Sequence, residues 1–133
     1  QHVSLEGTLL KPNMVLSGKD AVGRANSGEV AQQTIDCFKA HVPGAVPGIV
    51  FLSGGQGDNE SVINLDGINR VAVKGGVPWE LSYSYGRGLQ AAPLAAWGGK
   101  KANIKRAQAA YLQRCKETSA ARRGQYSTKV TAG

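Results

Sequence analysis

The sequence is poor in the residues that staple or anchor a chain. Only two of its 133 residues are cysteine, Cys37 and Cys115, far apart and in no Cys/His pattern of a zinc site. A disulfide framework and a cysteine-rich metal site are therefore excluded, and two reduced thiols of an intracellular protein are expected. No apolar run approaches the roughly 18–20 residues that cross a bilayer, so no membrane-spanning helix is expected. The chain opens on Gln1, with no initiator Met and no signal-peptide pattern, as though it begins partway along a longer protein. Aromatic residues make up 6%, too few for the aromatic-and-basic interleaving of a single-strand nucleic-acid binder. Acids are also scarce, nine against sixteen Lys and Arg, for a net charge of +7.

What is present is a 41% hydrophobic content, enough for a packed core, and 18 glycines, which suit tight turns and a loop-built ligand site. The charge is uneven. Residues 1–97 hold four Lys and three Arg against eight acids, net −1, whereas residues 98–133 hold five Lys and four Arg against one Glu, net +8. Such a skew fits either a solvated helix face or a patch for an acidic partner.

Along the chain the pattern repeats. Val3 to Leu10 reads as a strand that Pro12 ends, and Ser27 is placed as the N-cap of a helix carrying Val30, Thr34, Ile35, Phe38 and Val42 at helical spacing. Gly48 to Leu52 reads as a buried strand, followed by a helix with Asp58 near its start and Val62, Leu65 and Ile68 on one side. After a turn through Lys74-Gly75-Gly76-Val77-Pro78, Trp79 to Tyr83 reads as a third strand and Leu89 to Trp97 as a short helix. Three tandem strand-helix units imply parallel strands and the α/β class. Asn103 to about Ala121 reads as an added amphipathic helix with Ile104, Ala107, Tyr111 or Leu112 and Cys115 on its apolar side. Gly124 fits its stop, and nothing from Gln125 onward shows a pattern that would hold it in place.

The unusual residues stand at the carboxyl ends of the three strands: Lys11, then Ser53-Gly54-Gly55, then Gly86-Arg87. Parallel strands bring those ends to one rim, where α/β proteins bind ligands and where barrels hold phosphate. The Ser-Gly-Gly turn leads into a helix N-terminus and offers amide donors and the Ser53 hydroxyl; Arg87 offers a guanidinium fork matched to phosphate oxygens. Alternation places Leu5, Gly7, Leu9 and Lys11 on one strand face, and Glu6, Thr8 and Leu10 on the other. Two readings of Lys11 stay open on that ground. Its ammonium reaches solvent, or it is desolvated, its pKa falls and the amine forms a Schiff base with a carbonyl.

The stretch Leu5-Glu6-Gly7-Thr8-Leu9-Leu10-Lys11-Pro12-Asn13-Met14-Val15 resembles the Schiff-base strand of class I fructose-bisphosphate aldolases. Phe51-Leu52-Ser53-Gly54-Gly55-Gln56 resembles the family's phosphate-binding turn, and Ser82 to Gln90 with Ala96 to Lys100 is similar to its final strand and the segment after it. The resemblance covers nearly the whole chain, in the family's order. It implies a (β/α)8 barrel of which this chain supplies the last three units over 1–97, a basic helix over 98–121 and a truncated tail over 122–133. It also implies a nucleophilic Lys11 and a C1 phosphate held by Ser53, Gly54, Gly55, Ser84, Gly86 and Arg87. No metal or other cofactor is implied, and the intact enzyme is expected to be a homotetramer of the cytoplasm, with a plastid member possible.

Departures are Gly88, where the family usually has Ala, and Gly57-Asp58-Asn59, where it has Ser followed by acids; each is expected to affect a helix start. Val71–Pro78 is expected to be a slightly longer surface connection than usual. A barrel needs about 250 residues, so the earlier strands, with the family's catalytic acids, a second active-site lysine and most of its C6 phosphate site, are not in this sequence, and the segment by itself is expected to be non-catalytic. Glu6, on the opposite face from Lys11, is expected to be outward or structurally bonded. Two alternatives stand beside this reading: a binding module using the basic segment on an acidic partner such as RNA, a filament protein or a membrane surface, and a Schiff-base aldolase of another sugar phosphate.

Overall fold

A computed structural model describes residues 2–127. Strands β1 (Leu9–Leu10), β2 (Gly48–Phe51) and β3 (Glu80–Tyr83) form one sheet in the order β1-β2-β3, with both pairings parallel. Helix α1 (Ser27–His41) connects β1 to β2, and α2 (Asp58–Gly75) connects β2 to β3. Helices α3 (Arg87–Trp97) and α4 (Ile104–Arg122) come next, separated by a short 3-10 turn. The α/β class and the three strand-helix units are as the periodicity predicts.

The register pairs Ile49 with Leu81 and Phe51 with Tyr83 on one face of the sheet. That face packs on α1 and α2. Ile49, Phe51, Ile35, Val62, Leu65 and Ile68 are all almost fully buried there, and Phe38 stacks on Phe51 with ring centroids 5.7 Å apart. Leu9, Val50 and Ser82 lie on the opposite face, where Leu9 is exposed. The strand expected from Val3 is thus much shorter. Leu5–Gly7 instead winds into a 3-10 turn, fastened by the Thr8 hydroxyl and Gly7 N–H donating to the Ser4 carbonyl. The turn consumes the donor that a longer strand would need: Thr8 N–H donates to the Leu5 carbonyl, and pairing begins at Leu9 opposite Gly48.

Asn26, not Ser27, caps α1. Its side chain accepts from the Gly28 and Glu29 N–H groups, and Glu29 accepts from the Asn26 N–H, a complete capping box. The box requires a spacing of three, which Asn26 meets and Ser27 does not. Asn26→Ala should cost about 1 kcal/mol of stability, read as a shifted urea midpoint with unchanged slope.

Helix α2 runs through Val71–Gly75, so most of the connection expected there is helical; Lys39 donates to the Gly75 carbonyl, and Gly76 leaves the helix at φ 57°. The C-terminal helix also differs. Ile104, Tyr111 and Leu112 are exposed, and its buried face is built from Arg114, Glu117, Thr118, Ala120 and Ala121. Gly124 does end it, at φ 63°. Beyond it Tyr126 is held, its N–H donating to Asp66 and its carbonyl accepting from Arg70, while its side chain packs on the core. Of the tail over 122–133, residues 128–133 lie outside the described residues.

Candidate functional site

The three strand ends are brought level by two hydrogen bonds that prolong the ladders. Leu52 N–H donates to the Pro12 carbonyl at 3.1 Å, and Ser84 N–H donates to the Phe51 carbonyl at 2.8 Å. Lys11, the Ser53-Gly54-Gly55 turn and the Ser84–Arg87 turn therefore share one rim, as parallel pairing requires.

Continuing the β1 register by one residue sets Lys11 opposite Val50, on the face of Leu9 and Ser82. Lys11 is exposed there. Alternation thus assigns its face, but the described residues leave Lys11 exposed. Glu6 is exposed as well and accepts from the Ser4 hydroxyl, in keeping with a structural carboxylate.

The Ser-Gly-Gly turn is anchored by its carbonyls. Asn13 Nδ2 donates to the Gly54 carbonyl at 3.2 Å, and Arg24 Nη2 to the Gly55 carbonyl at 2.7 Å, with Arg24 also paired to Glu60. In a trans peptide the carbonyl and the following N–H point in opposite directions, so fixing the Gly54 carbonyl also aims the Gly55 N–H away from Asn13. Neither the Gly54 nor the Gly55 N–H donates to a protein group among the described residues. Gly55 has φ 79°, a conformation that only glycine holds without strain.

The start of α2 contributes less than its position suggests. Asp58 and Glu60 lie in its first turn, and Glu60 accepts from the Gly57 N–H at 3.1 Å, so carboxylates already serve this helix end. Helix α3 is the opposite case. Its first turn has no acid, Gly86 makes no side-chain cap, and the Arg87 and Gly88 N–H groups have no protein acceptor among the described residues. An anion is favoured at such a helix end. Arg87 is exposed at the first helical position.

The two turns touch. Gly88 is buried against Ser53, and a Cβ at position 88 would stand 3.1 Å from Ser53 Oγ and 3.2 Å from the Tyr85 ring. The glycine therefore matters for more than a helix start, because it sets how closely the third strand's turn approaches the second's. Between Ser84 and Gly86, Tyr85 turns inward and donates its hydroxyl to the Ser61 carbonyl on α2 at 2.8 Å.

Burial pushes the Tyr85 hydroxyl well above the ordinary tyrosine value of 10.0. The folded state then keeps a proton that the unfolded chain releases, so this stability is complete below pH 10 and is lost as pH rises beyond it. Tyr85→Phe should cost about 0.5–1.5 kcal/mol near neutrality. It should also make the fall in stability above pH 10 shallower, checked by urea unfolding on either side of that pH.

The anchors Asn13, Arg24 and Tyr85 escape sequence reasoning, which looks for groups that face a ligand. Asn13 and Arg24 serve carbonyls far along the chain, and no local spacing announces such bonds.

Among the described residues no group of His, Cys, Asp and Glu is arranged to hold a metal ion, and no helix is long and apolar enough to cross a membrane. The model of the family "fructose-bisphosphate aldolase class-I" matches residues 1–133. Over 132 residues, 99% of this chain, the sequence is 52% identical to the cytoplasmic isozyme 2 of fructose-bisphosphate aldolase from Pisum sativum and 50% identical to fructose-bisphosphate aldolase B from Mus musculus. It covers 36% of each, so the chain spans about a third of the length of these relatives. A solved structure of fructose-bisphosphate aldolase from Plasmodium falciparum, in complex with TRAP and a small-molecule inhibitor, superposes with a TM-score of 0.88 at 44% identity over 95% of this chain and 35% of that one. The three parallel strand-helix units are part of a (β/α)8 barrel, and the chain belongs to the class I fructose-bisphosphate aldolase family.

Proposed function

We propose that this chain is the C-terminal portion of an aldehyde-lyase that reversibly cleaves fructose 1,6-bisphosphate to dihydroxyacetone phosphate and glyceraldehyde 3-phosphate through a lysine Schiff base. The observation that carries this reading is the common rim: Lys11 at one strand end, level with two turns whose free amides and one guanidinium suit a phosphate. In this mechanism the Lys11 amine attacks the C2 ketone of the open-chain sugar, and water leaves to give a protonated imine. The imine draws the electron pair of the C3–C4 bond as that bond breaks, while a general base supplied by the rest of the barrel takes the C4 hydroxyl proton. Glyceraldehyde 3-phosphate departs, and the remaining enamine is protonated and hydrolysed to dihydroxyacetone phosphate, restoring the amine.

Ser53, Gly54, Gly55, Ser84, Gly86 and Arg87 hold the C1 phosphate in this reading. Arg87 supplies the full positive charge, and the amides at Gly54, Gly55 and the start of α3 supply directed donors. The intact enzyme is read as a homotetramer of the cytoplasm, like the relatives named cytosolic in Arabidopsis thaliana in cellular address. The basic segment fits this better than it fits a docking role, since Arg114 is buried on Glu117 and Arg122 pairs with Glu80 at 2.6 Å. Both arginines serve the fold.

Borohydride reduction of the full-length protein in the presence of dihydroxyacetone phosphate tests the reading. One adduct per chain, mapped to Lys11, is expected. An adduct confined to another lysine, or none, overturns it. The isolated 133-residue chain is expected to show no turnover.

A further inference from the structure

One side chain of α4 reaches both helix starts that succeed the two turns. Arg114 is 6% exposed, and each of its guanidinium nitrogens is engaged. Nε donates to the Gly88 carbonyl in the first turn of α3 at 2.9 Å, and Nη2 donates to the Asp58 carbonyl at the first position of α2, also at 2.9 Å. Nη1 donates to Glu117 at 2.7 Å, and Glu117, itself buried, accepts in addition from Gln113.

We propose that Arg114 is a positioning residue for the anion site, fixing the spacing between the Ser53-Gly54-Gly55 turn and the Gly86-Arg87-Gly88 turn. The inference rests on the reading that both turns hold one phosphate. Asp58 lies three residues after Gly55, and Gly88 comes directly after Arg87 while packing on Ser53. A planar fork with three rigidly spaced nitrogens holds two carbonyls at a fixed separation, which a lysine ammonium on a flexible stem cannot do. Burial makes the arrangement stiff, because releasing either carbonyl leaves a charged donor without its partner in a dry environment. Tyr85, bonded to the Ser61 carbonyl, is a second tie between the same elements, so loss of the arginine should loosen the site without dismantling it.

Removing Arg114 alone would strand the buried Glu117 carboxylate and threaten folding. Two variants of the full-length protein avoid this. Arg114→Met with Glu117→Leu replaces the ion pair by apolar groups of similar size, and Arg114→Lys keeps the charge pair but loses the fork. Inorganic phosphate is the probe, measured as a competitive inhibitor of fructose 1,6-bisphosphate cleavage, with Arg87→Ala as reference and the thermal midpoint as the check on folding. A rise of roughly tenfold in the phosphate inhibition constant is expected for either variant, with binding of unphosphorylated dihydroxyacetone unchanged. A folded variant that binds phosphate like the wild type overturns the positioning role while Arg87→Ala still weakens binding. If Arg87→Ala also binds as the wild type does, the phosphate reading falls and the positioning role falls with it.

Discussion

Lys11→Met in the full-length protein should remove the borohydride-trapped adduct and lower cleavage of fructose 1,6-bisphosphate on the order of ten-thousand-fold or more, the scale on which enzymes lose turnover when a covalent nucleophile is deleted. The loss should fall on kcat. The proposed phosphate donors at Ser53, Gly54, Gly55 and Arg87 lie in the turns after the other strands and are untouched, so the Michaelis constant should change far less. Lys11→Arg should be as inactive as Lys11→Met, because a guanidinium stays protonated in proteins and has no lone pair to offer a ketone. Turnover within tenfold of the wild type in either variant would remove Lys11 from the mechanism. The exposure of Lys11 adds a comparison. In the isolated chain the amine should behave as an ordinary surface lysine toward acylating reagents, and in the full-length protein it should react differently if the remainder of the barrel encloses it.

Phe51→Ala should produce the largest loss of stability, about 3–5 kcal/mol, against a total of roughly 5–15 kcal/mol for a typical domain. Phe51 is fully buried in the middle strand, stacks on Phe38 and lies in a cluster with Ile35, Val62 and Leu65. Truncation forfeits the transfer energy of the ring and leaves a cavity between sheet and helices. Phe51→Leu retains most of the volume and should cost about 1.5 kcal/mol or less. The position also bears on the site, since the Phe51 carbonyl accepts from Ser84 and the Ser53 turn begins two residues later. A partly folded Phe51→Ala protein should therefore lose phosphate binding before it loses its helices, which circular dichroism and phosphate titration would separate. Loss of both together would show that the turns do not depend on this packing.

The legible parts of the fold are those in which a local signal and tertiary packing agree. Gly48 to Phe51 is apolar, short and bounded by Pro47 and the Ser-Gly-Gly turn, and it is a central strand. The 3.6-residue spacing of Val62, Leu65 and Ile68 marks the buried side of α2, and these three are among its most deeply buried residues. The illegible parts depend on a neighbour far along the chain. The buried side of α4 is polar, so an apolar-period argument chooses the wrong residues; the useful signal was the Arg114 and Glu117 pair at i, i+3, which marks a charge pair on one helix face. The position of Tyr126 is likewise decided by Asp66 and Arg70 on a different helix.

The rim was legible because parallel strands with Gly-rich carboxyl ends admit few alternatives. What the sequence could not convey is the division of labour on it. Two helices begin beside the proposed phosphate, and only α3 presents an acid-free first turn. Of the two acids at the start of α2, Glu60 is engaged in the cap and in holding Arg24, and Asp58 adds a second carboxylate to the same helix end. A motif records that these residues are present without recording which donors they consume.

The Arg114 bridge also has a consequence for the order in which the molecule is made. Its two carbonyl partners precede it by 26 and 56 residues. At about 5–20 residues per second, the start of α2 leaves the ribosome on the order of 3–10 s before the arginine that fixes it. During that interval β2, α2 and β3 can collapse on their apolar face, while the separation of the two turns stays unset. In the proposed reading the anion site is thus completed only once α4, which follows both turns in the sequence, has been made.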